Sequence, residues 1–282
     1  MLLLLKGQAG IQFVFKTHFP VNDLKVFRNQ IDAQRRAFEQ MAAEPGYKVP
    51  EIFLVDEAKR SLLMEYVVGP TVHHALKHEL DHRASVLEKV GLWIGAFHRT
   101  TFVRYNPVNP DAMLQALEQL TRQVENREIE VARRGEFLEY AAQVPAVAEA
   151  VRGQKTRISA VHGDLHLRNV ILGRQAVYGF DFTRVHEAPT AHDLSLFLVR
   201  FGMTFCTNYR DHGPGLFNPG DMDAFYRGYG QEYRDDPALR YLLPLQILME
   251  WRLIPKDKNL RNEQHMRQFR GLQRMARIVF ES

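Results

Sequence analysis

Two apolar runs open the chain, at residues 2–6 and 11–16, and a four-residue segment with two glycines separates them. Strand-length apolar runs on both sides of such a segment predict a β-hairpin. Alternation assigns the second run to two faces, with Ile11, Phe13 and Phe15 on one and Gln12, Val14 and Lys16 on the other. Lys16 is therefore expected to lie opposite the hydrophobic face of the hairpin.

The next segment changes to the spacing of a helix. Its apolar residues recur at intervals close to one helical turn: Leu24, Phe27, Ile31, Phe38, Met41 and Ala42. This spacing predicts a helix of about twenty residues. Apolar runs at 49–52 and 62–67 then predict two more strands.

Beyond residue 71 the pattern is mostly helical. Helices are predicted at 90–98, over 113–154 and over 221–282, and the Gly-, Pro-, Asp- and Asn-rich segment 210–221 predicts a loop. No internal repeat or low-complexity tract interrupts this order. The chain is therefore expected to fold as a small strand-rich part followed by a larger helical part.

Candidate chemistry is concentrated in one short stretch that contains two aspartates and an asparagine. Asp164 and Asn169 lie five residues apart, and Asp181 ends a second apolar run, 176–180, twelve residues beyond Asn169. A carboxylate can orient an attacking hydroxyl and accept its proton, while a second carboxylate and an amide oxygen can bind Mg²⁺. Metal-dependent phosphoryl transfer needs this combination of positioning and charge neutralisation.

The same stretch resembles the aminoglycoside phosphotransferase branch of the protein-kinase-like fold, a family that also includes choline kinases. His162, Gly163, Asp164 and Asn169 match the family's H-G-D-x-x-x-x-N catalytic loop. An earlier segment matches the family pattern V-P…L-M-E-Y-x-x-G-x-T, with Val49, Pro50, Leu63, Met64, Glu65, Tyr66, Gly69 and Thr71. Gly163, His166 and Thr183 depart from the protein-kinase motifs, so the resemblance favours the small-molecule branch.

This resemblance implies a role for each matching residue. Asp164 would be the catalytic residue, and Asn169 and Asp181 would hold Mg²⁺ against the phosphates of ATP. The backbone near Glu65 and Val67 would pair with adenine. His162 and Asp193, the latter in a segment that resembles the family's D-L-A motif, would support the site.

The resemblance leaves the phosphate-binding lysine open. Lys16 is preferred, although only one strand would then precede it and the lobe would be abbreviated. Lys25 would allow three strands but breaks the helical period that starts at Leu24, and Lys6 would require a chain that begins further upstream.

The resemblance also does not decide which residue of the helix pairs with this lysine. The expected position on the helix holds Gln34, and the nearest acid, Glu39, lies five residues later and about 140° round the helix. Either Glu39 is used with a shifted helix, or a hydrogen bond from Gln34 replaces the ion pair.

The resemblance implies a two-lobed α+β, protein-kinase-like fold. Its small antiparallel-sheet lobe, 1–67, would contain the nucleotide-binding strands and one long helix. The mainly helical lobe, 68–282, would contain the catalytic loop and the substrate-binding helices. Because loss of the lysine–glutamate pair would weaken phosphate binding, a nucleotide-binding pseudoenzyme stays open as an alternative, as does a protein serine/threonine kinase.

Composition limits the cellular compartment and the partners that are expected for the chain. A single cysteine, Cys206, excludes an intramolecular disulfide and fits a reducing cytoplasm. The leucines at 2–5 form a run too short to span a bilayer, so no transmembrane segment is expected. The net charge of +4 is modest and accompanies no nucleic-acid-binding motif, so no nucleic-acid partner is expected.

The distribution of charge along the chain also favours one class of acceptor. Eight Arg and Lys residues lie between 252 and 277 against only Asp257 and Glu263. A basic segment fits an anionic partner, such as a phosphorylated sugar, a lipopolysaccharide-core sugar or a membrane surface. The favoured function is therefore an ATP- and Mg²⁺-dependent kinase of a metabolite or sugar hydroxyl, ahead of an aminoglycoside kinase; the oligomeric state is left open.

Overall fold

In a computed structural model, the chain divides into two compact units. Unit 1 comprises Met1–Val103, Ser159–Ala188 and Asp223–Tyr233, and unit 2 comprises Arg104–Ile158, Pro189–Met222 and Arg234–Ser282. The structure describes residues 2–7, 12–17, 24–78, 82–183, 186–206 and 215–281. The predicted lobe boundary after residue 67 stays a prediction.

Unit 1 contains a four-stranded antiparallel sheet with one long helix against it. The sheet has the order β1-β2-β5-β4, formed by β1 (Leu2–Lys6), β2 (Gln12–Thr17), β4 (Ile52–Asp56) and β5 (Ser61–Glu65). Helix α1 (Leu24–Gln40) buries Phe27 and Ile31 in one hydrophobic cluster with Val14, Leu62 and Met64 of the sheet. Both the predicted hairpin pairing and the predicted helix are confirmed.

A second part of unit 1 surrounds a short hairpin. Strands β8 (Val170–Leu172) and β9 (Val177–Gly179) pair antiparallel, and β3 (Tyr47–Lys48) adds to β9 in parallel. Helices α2 (Val72–His78) and α3 (Arg83–Thr100) pack beside this hairpin. Trp93 of α3 is fully buried and donates a hydrogen bond from Nε1 to the Lys48 carbonyl at 2.9 Å, which joins α3 to β3.

Unit 2 is built around helices. They are α4 (Asp111–Glu125), α5 (Arg134–Ala141), α6 (Val144–Val151), α7 (Ala191–Phe205), α9 (Pro237–Trp251) and α10 (Glu263–Phe280), while α8 (Pro219–Tyr229) runs from unit 2 into unit 1. Within unit 2, α7 packs against both α9 and α10. A further sheet has the order β10-β7-β6, from β6 (Phe102–Pro107), β7 (Lys155–Ala160) and β10 (Glu187–Pro189).

Several sequence predictions of elements are corrected. The strand predicted at 49–52 is wrong, because Pro50 lacks a backbone donor and the strands instead end at Lys48 and begin at Ile52. The strands β6, β7 and β10 were not predicted. The predicted helical segments 90–98, 113–154 and 221–282 are confirmed, the last two as three helices each.

The loop predicted at 210–221 is only partly testable. Residues 210–214 lie outside the described part of the chain, and α8 already begins at Pro219. Among the residues that the structure describes, none of the helices is both long enough and apolar enough to span a membrane.

Candidate active site

The hairpin β8–β9 places Asn169 and Asp181 at the same end. Val170 pairs with Gly179, so the residues just before β8 and just after β9 lie at the open end, opposite the turn. The Phe180 N–H donates to the Asn169 carbonyl at 3.1 Å and extends the pairing by one step. The predicted metal ligands therefore lie next to each other because of local strand pairing.

Hydrogen bonds within the catalytic loop join Asn169 to Asp164. The Asn169 side-chain Nδ2 donates to the Asp164 carbonyl at 3.0 Å and lies 3.5 Å from the Asp164 carboxylate. The Asn169 backbone N–H donates to the His166 carbonyl at 2.9 Å. Since the amide nitrogen of Asn169 is used in this way, its oxygen Oδ1 is the atom left for a cation.

His162 connects this loop to the end of β9. It is fully buried, its Nδ1 accepts a hydrogen bond from the Asp164 N–H at 3.4 Å, and its Nε2 lies 2.9 Å from the Phe180 carbonyl. Because Nδ1 accepts, the proton is on Nε2, which donates to the carbonyl. The ring also stacks on Phe182 with centroids 4.2 Å apart. These contacts agree with the structural role predicted for His162, which stays a prediction.

Two residues of the site have left-handed backbone conformations. Gly163 has a φ of +81°, and a Cβ there would lie 2.1 Å from Thr183 Oγ1. Asp181 has a φ of +65° although it is not glycine. Such a conformation costs a side-chain-bearing residue about 1–3 kcal/mol and is often retained where function requires it. Its occurrence at Asp181 marks that residue as one whose side-chain direction matters.

Lys16 forms an ion pair with Asp181. The two side chains are 20% and 33% exposed, so the pair is partly shielded from water. Lys6 is exposed at the end of β1 and Lys25 is exposed on α1. The structure therefore brings Lys16, and neither alternative, to the predicted metal ligand, while the role of Lys16 in phosphate binding stays a prediction.

The predicted environment of Lys16 needs a correction. Val14, which shares the face of Lys16, belongs to the buried cluster under α1, whereas Phe13 and Phe15 remain partly exposed. Lys16 thus lies on the buried face of the sheet, because α1 covers that face. Ile11, assigned to the other face, lies outside the described residues.

Neither candidate partner on α1 contacts Lys16 in the described part of the chain. Gln34 is buried and donates from Nε2 to the Pro50 carbonyl at 3.1 Å. Glu39 is exposed. The only partner that the structure shows for Lys16 among the described residues is Asp181.

The segment predicted to meet adenine connects β5 to α2. The Glu65 N–H donates to the Glu51 carbonyl at 2.9 Å, and burial, more than the Glu51 charge, raises the pKa of the Glu65 carboxyl. Val67 is buried, and its backbone makes no hydrogen bond within the described residues. A backbone donor and acceptor left unpaired in this way suit recognition of a planar heterocycle. The roles of Glu65 and Val67 stay predictions.

A group of basic side chains lies beside the catalytic loop, and its assembly was not predicted from the sequence. The His73 N–H donates to the Leu167 carbonyl at 2.8 Å and thereby attaches α2 to the loop. Burial, followed by the charges of Arg168, Lys77, His74 and His166, lowers the pKa of His73. The only sign of this group in the sequence is a concentration of three histidines and a lysine within 73–78.

His166 faces Asp164, the predicted catalytic residue. Its Nδ1 accepts a hydrogen bond from the Arg168 N–H at 3.1 Å, so the neutral ring carries its proton on Nε2. This Nε2 lies 3.5 Å from Oδ2 of Asp164. Asp193 lies on α7 in unit 2 and is 1% exposed; its predicted bracing of the loop stays a prediction.

The comparisons with known proteins identify the family of the chain. The sequence profile of the phosphotransferase enzyme family, APH, matches residues 3–242. The chain belongs to this family. It is a small-molecule phosphotransferase with an alcohol group as acceptor, which confirms the family and the kind of enzyme predicted. A comparison with curated protein sequences finds no match.

Solved structures of kinase-like proteins share the fold. The chain is similar to aminoglycoside phosphotransferase APH(4)-Ia, solved with AMP-PNP and hygromycin B (TM-score 0.64, 12% identity, 100% of this chain and 95% of that one). It is also similar to amicoumacin kinase hAmiN, solved with AMP-PNP, Ca²⁺ and Ami (TM-score 0.62, 16% identity, 99% and 85%). A third is a choline/ethanolamine kinase family protein from Mesorhizobium loti (TM-score 0.59, 14% identity, 100% and 93%). The predicted kinase-like α+β fold is confirmed.

The donor set at the hairpin end fits a hard divalent cation. It offers the Asp181 carboxylate and the Asn169 amide oxygen, and no group of three or more His, Cys, Asp or Glu is arranged to hold a metal among the described residues. Mg²⁺ is commonly bound by one or two protein oxygens, with phosphate oxygens and water completing its shell. The site therefore suits a metal that arrives with a nucleotide.

Proposed function

We propose that the protein transfers the γ-phosphate of ATP to a hydroxyl of a sugar or other small metabolite, with Asp164 as the catalytic residue. The observation that carries this proposal is the joint placement of Asp164, Asn169 and Asp181 by one loop and one hairpin. Phosphoryl transfer depends mainly on positioning and on stabilising charge, and these three side chains are held for that purpose.

The proposed step is an in-line displacement. Asp164 accepts a hydrogen bond from the acceptor hydroxyl and aims its oxygen at the γ-phosphorus. The new bond joins that oxygen to phosphorus, the bond to the β-phosphate oxygen breaks, ADP leaves, and Asp164 takes the hydroxyl proton late in the reaction. The His166 Nε2 lies 3.5 Å from Oδ2 of Asp164 and would help to orient this carboxylate.

We assign nucleotide binding to four residues of unit 1 other than Asp164. Val67 would pair with adenine through its unpaired backbone groups, and Lys16 would neutralise phosphate charge. Asn169 Oδ1 and Asp181 would hold Mg²⁺, which when bound would offset the negative charge that develops between the phosphates. Within the described residues Lys16 and Asp181 satisfy each other, so the two charges are kept in place without nucleotide.

Replacing Asp164 by Asn tests this assignment. The variant should lose most turnover, because an amide cannot accept the proton, while binding Mg·ATP as tightly as wild type. Calorimetry with Mg·AMP-PNP and a coupled ADP-release assay with an acceptor panel measure the two properties. Asp235→Asn, an exposed aspartate in unit 2, is the matched control. Unchanged turnover in Asp164→Asn with every acceptor that wild type uses would refute the role of Asp164.

Replacing Asp181 by Ala tests the metal assignment. Mg²⁺-dependent nucleotide binding should disappear, and the thermal stabilisation by Mg·ATP should disappear with it. At a hundredfold excess over the Kd, bound nucleotide stabilises wild type by ~2.7 kcal/mol. If wild type is stabilised by Mg·ATP but turns over no acceptor, the nucleotide-binding pseudoenzyme replaces the kinase; no stabilisation with ATP or GTP would refute the nucleotide site itself.

The acceptor class rests on separate evidence. The basic segment 252–277 is partly structural, since Arg274 is buried and donates to the carbonyls of Cys206, Gly215 and Leu216. Arg261 donates to the Pro255 carbonyl, and Lys256 pairs with Glu130. We therefore base the preference for an anionic acceptor on the cations beside the catalytic loop instead.

A further inference from the structure

We propose that basic side chains of α2 and of the catalytic loop form a subsite that binds an anionic group, phosphate or carboxylate, of the acceptor. The group consists of Lys77, His73 and His74 from α2 together with His166 and Arg168 from the loop, and we call it the basic subsite. This inference rests on the proposed function and narrows its acceptor to hydroxyl compounds that carry a negative charge.

Geometry brings these residues together. The hydrogen bond from the His73 N–H to the Leu167 carbonyl, 2.8 Å long, fixes the first turn of α2 to the loop. Leu167 lies between His166 and Arg168, so both loop members are neighbours of this contact. The lowered pKa of His73, caused first by burial and then by these cations, reflects the same concentration of positive charge.

Two members of the basic subsite, Arg168 and Lys77, have no carboxylate partner in the described part of the chain. Both side chains are exposed. By contrast, exposed Arg28, Arg122 and Arg152 each pair with at least one acid. Arg168 and Lys77, without such a partner among the described residues, would gain most from an anion that comes from outside.

Position relative to the reacting group explains why the anion would belong to the acceptor. His166 contributes both to the basic subsite and, through Nε2 at 3.5 Å, to the surroundings of Asp164. Lys16, the candidate for ATP phosphates, contacts Asp181 instead. An acceptor whose anion lies a few bonds from its hydroxyl would place the hydroxyl at Asp164 and the anion against Arg168 and Lys77.

The experiment measures binding without turnover. Calorimetry is carried out at low salt with Mg·AMP-PNP already bound, using glucose 6-phosphate against glucose, gluconate against glucose, and inorganic phosphate alone. Wild type should bind the charged member of each pair at least about tenfold more tightly. That preference should fall as salt is raised, because exposed charges are screened.

Variants locate the site. Lys77→Gln with Arg168→Gln should lose about tenfold in affinity for the anionic ligands, while Lys77→Arg with Arg168→Lys should keep most of it. Lys59→Gln, an exposed lysine on the β4–β5 turn, is the control. Affinity for Mg·AMP-PNP should stay within twofold of wild type in all of them.

Four outcomes overturn the inference. The first three are equal affinity for charged and neutral ligands, no effect of the double Gln variant on anion affinity, and no anion binding by wild type at about ten millimolar. Loss of AMP-PNP affinity in the Gln variant would also overturn it, because the cations would then serve the nucleotide. Failure of the proposed function appears separately, as absent turnover despite nucleotide binding.

Discussion

At the scale of single residues, the ion pair between Lys16 and Asp181 joins the proposed phosphate-binding lysine to a proposed Mg²⁺ ligand. Lys16→Gln should lower the stability of the nucleotide-free protein by no more than ~1 kcal/mol, because the pair is only partly buried. The same change should weaken Mg·ATP binding by a larger free energy than this loss of stability, because the ATP phosphates would lose the positive charge of Lys16.

A double-mutant cycle with Asp181→Asn measures the pair itself. Urea unfolding of the four proteins without nucleotide should give a coupling energy below ~1 kcal/mol. Lys25→Gln, on the exposed surface of α1, serves as the control and should leave nucleotide affinity unchanged. If Lys25→Gln weakened nucleotide binding more than Lys16→Gln did, Lys25 and not Lys16 would be the phosphate-binding lysine.

Gly163 is a second residue for which the backbone conformation predicts the effect of a substitution. Gly163→Ala combines a φ of +81° with a Cβ placed 2.1 Å from Thr183 Oγ1, so it should cost stability and displace Asp164. Gly46→Ala is the matched control, because Gly46 has a φ of +78° and open space around it. The control should lose only ~1–2 kcal/mol, and Gly163→Ala about 1–3 kcal/mol more.

The double variant Gly163→Ala with Thr183→Ala separates the two causes. Removing Oγ1 relieves the close contact and leaves the left-handed backbone, so stability by urea unfolding should return toward the Gly46→Ala loss. Turnover should recover in parallel if the displaced loop is the reason for its loss. Equal losses in the single and double variants would mean that Thr183 does not limit the position of residue 163.

Glu65 gives a pH-dependent prediction. Burial raises the pKa of Glu65, so the folded protein holds this proton more tightly than the unfolded chain does. Stability from this group is complete below pH ~4 and is lost as pH rises through the folded pKa. Glu65→Gln should therefore be more stable than wild type at pH 7, and the gain should vanish near pH 4.

Thermal unfolding at pH 4 and pH 7 measures this difference. Glu39→Gln, at an exposed position on α1, should change stability by less than ~0.5 kcal/mol at both pH values. A gain for Glu65→Gln that grew as the pH was lowered would contradict the assigned direction of the pKa shift.

At this scale the site was predictable where its contacts are local. Asp164, Asn169 and Asp181 come together through one loop and one short hairpin, and both are encoded in spacing. Lys16 was predicted to lie opposite the hydrophobic face of β2, which is wrong, because both faces of that strand hold apolar residues and only the packing of α1 decides which is buried. Arg168 and Lys77 are distant in sequence, so no spacing rule connects them.

At the scale of elements, the contact between β9 and α3 depends on a glycine. A Cβ on Gly179 would meet the Trp93 ring at 2.1–2.7 Å, and Trp93 is fully buried. Gly179→Ala should therefore cost about 1–3 kcal/mol by overpacking. The metal-ligand end of the hairpin would shift with it, so urea unfolding and Mg·AMP-PNP affinity should both respond.

The double variant Gly179→Ala with Trp93→Phe tests that contact. Phe lacks the indole atoms that the new methyl would meet, so the two changes should be less costly together than the sum of their separate costs. Additive costs would show that the strain at residue 179 arises elsewhere.

The elements themselves were predictable where a hydrophobic period is sustained. Helix α1 and the β1–β2 hairpin follow directly from such periods. The break between α4 and α5 does not, because Arg127 and Arg133 adopt left-handed backbone conformations that propensity does not assign to arginine. Strand β6 was missed since most of its residues are exposed and it follows α3 almost at once.

At the scale of the whole molecule, each unit has its own tryptophan. Trp93 lies in unit 1 and Trp251 in unit 2, and both are fully buried. Trp251→Phe leaves Trp93 as the only tryptophan, and Trp93→Phe leaves Trp251. The unfolding of each unit can therefore be followed by fluorescence in one variant.

The distribution of the proposed ligands predicts how nucleotide acts on these two signals. Lys16, Val67, Asn169 and Asp181 all belong to unit 1, so Mg·ATP binds folded unit 1 and must raise the unfolding midpoint reported by Trp93. The shift should grow with nucleotide concentration and disappear in Asp181→Ala. The Trp251 signal should shift by no more than the Trp93 signal, because unit 2 supplies none of these ligands. A shift reported by Trp251 alone would place the nucleotide site in unit 2 and would contradict the assignment of all four residues.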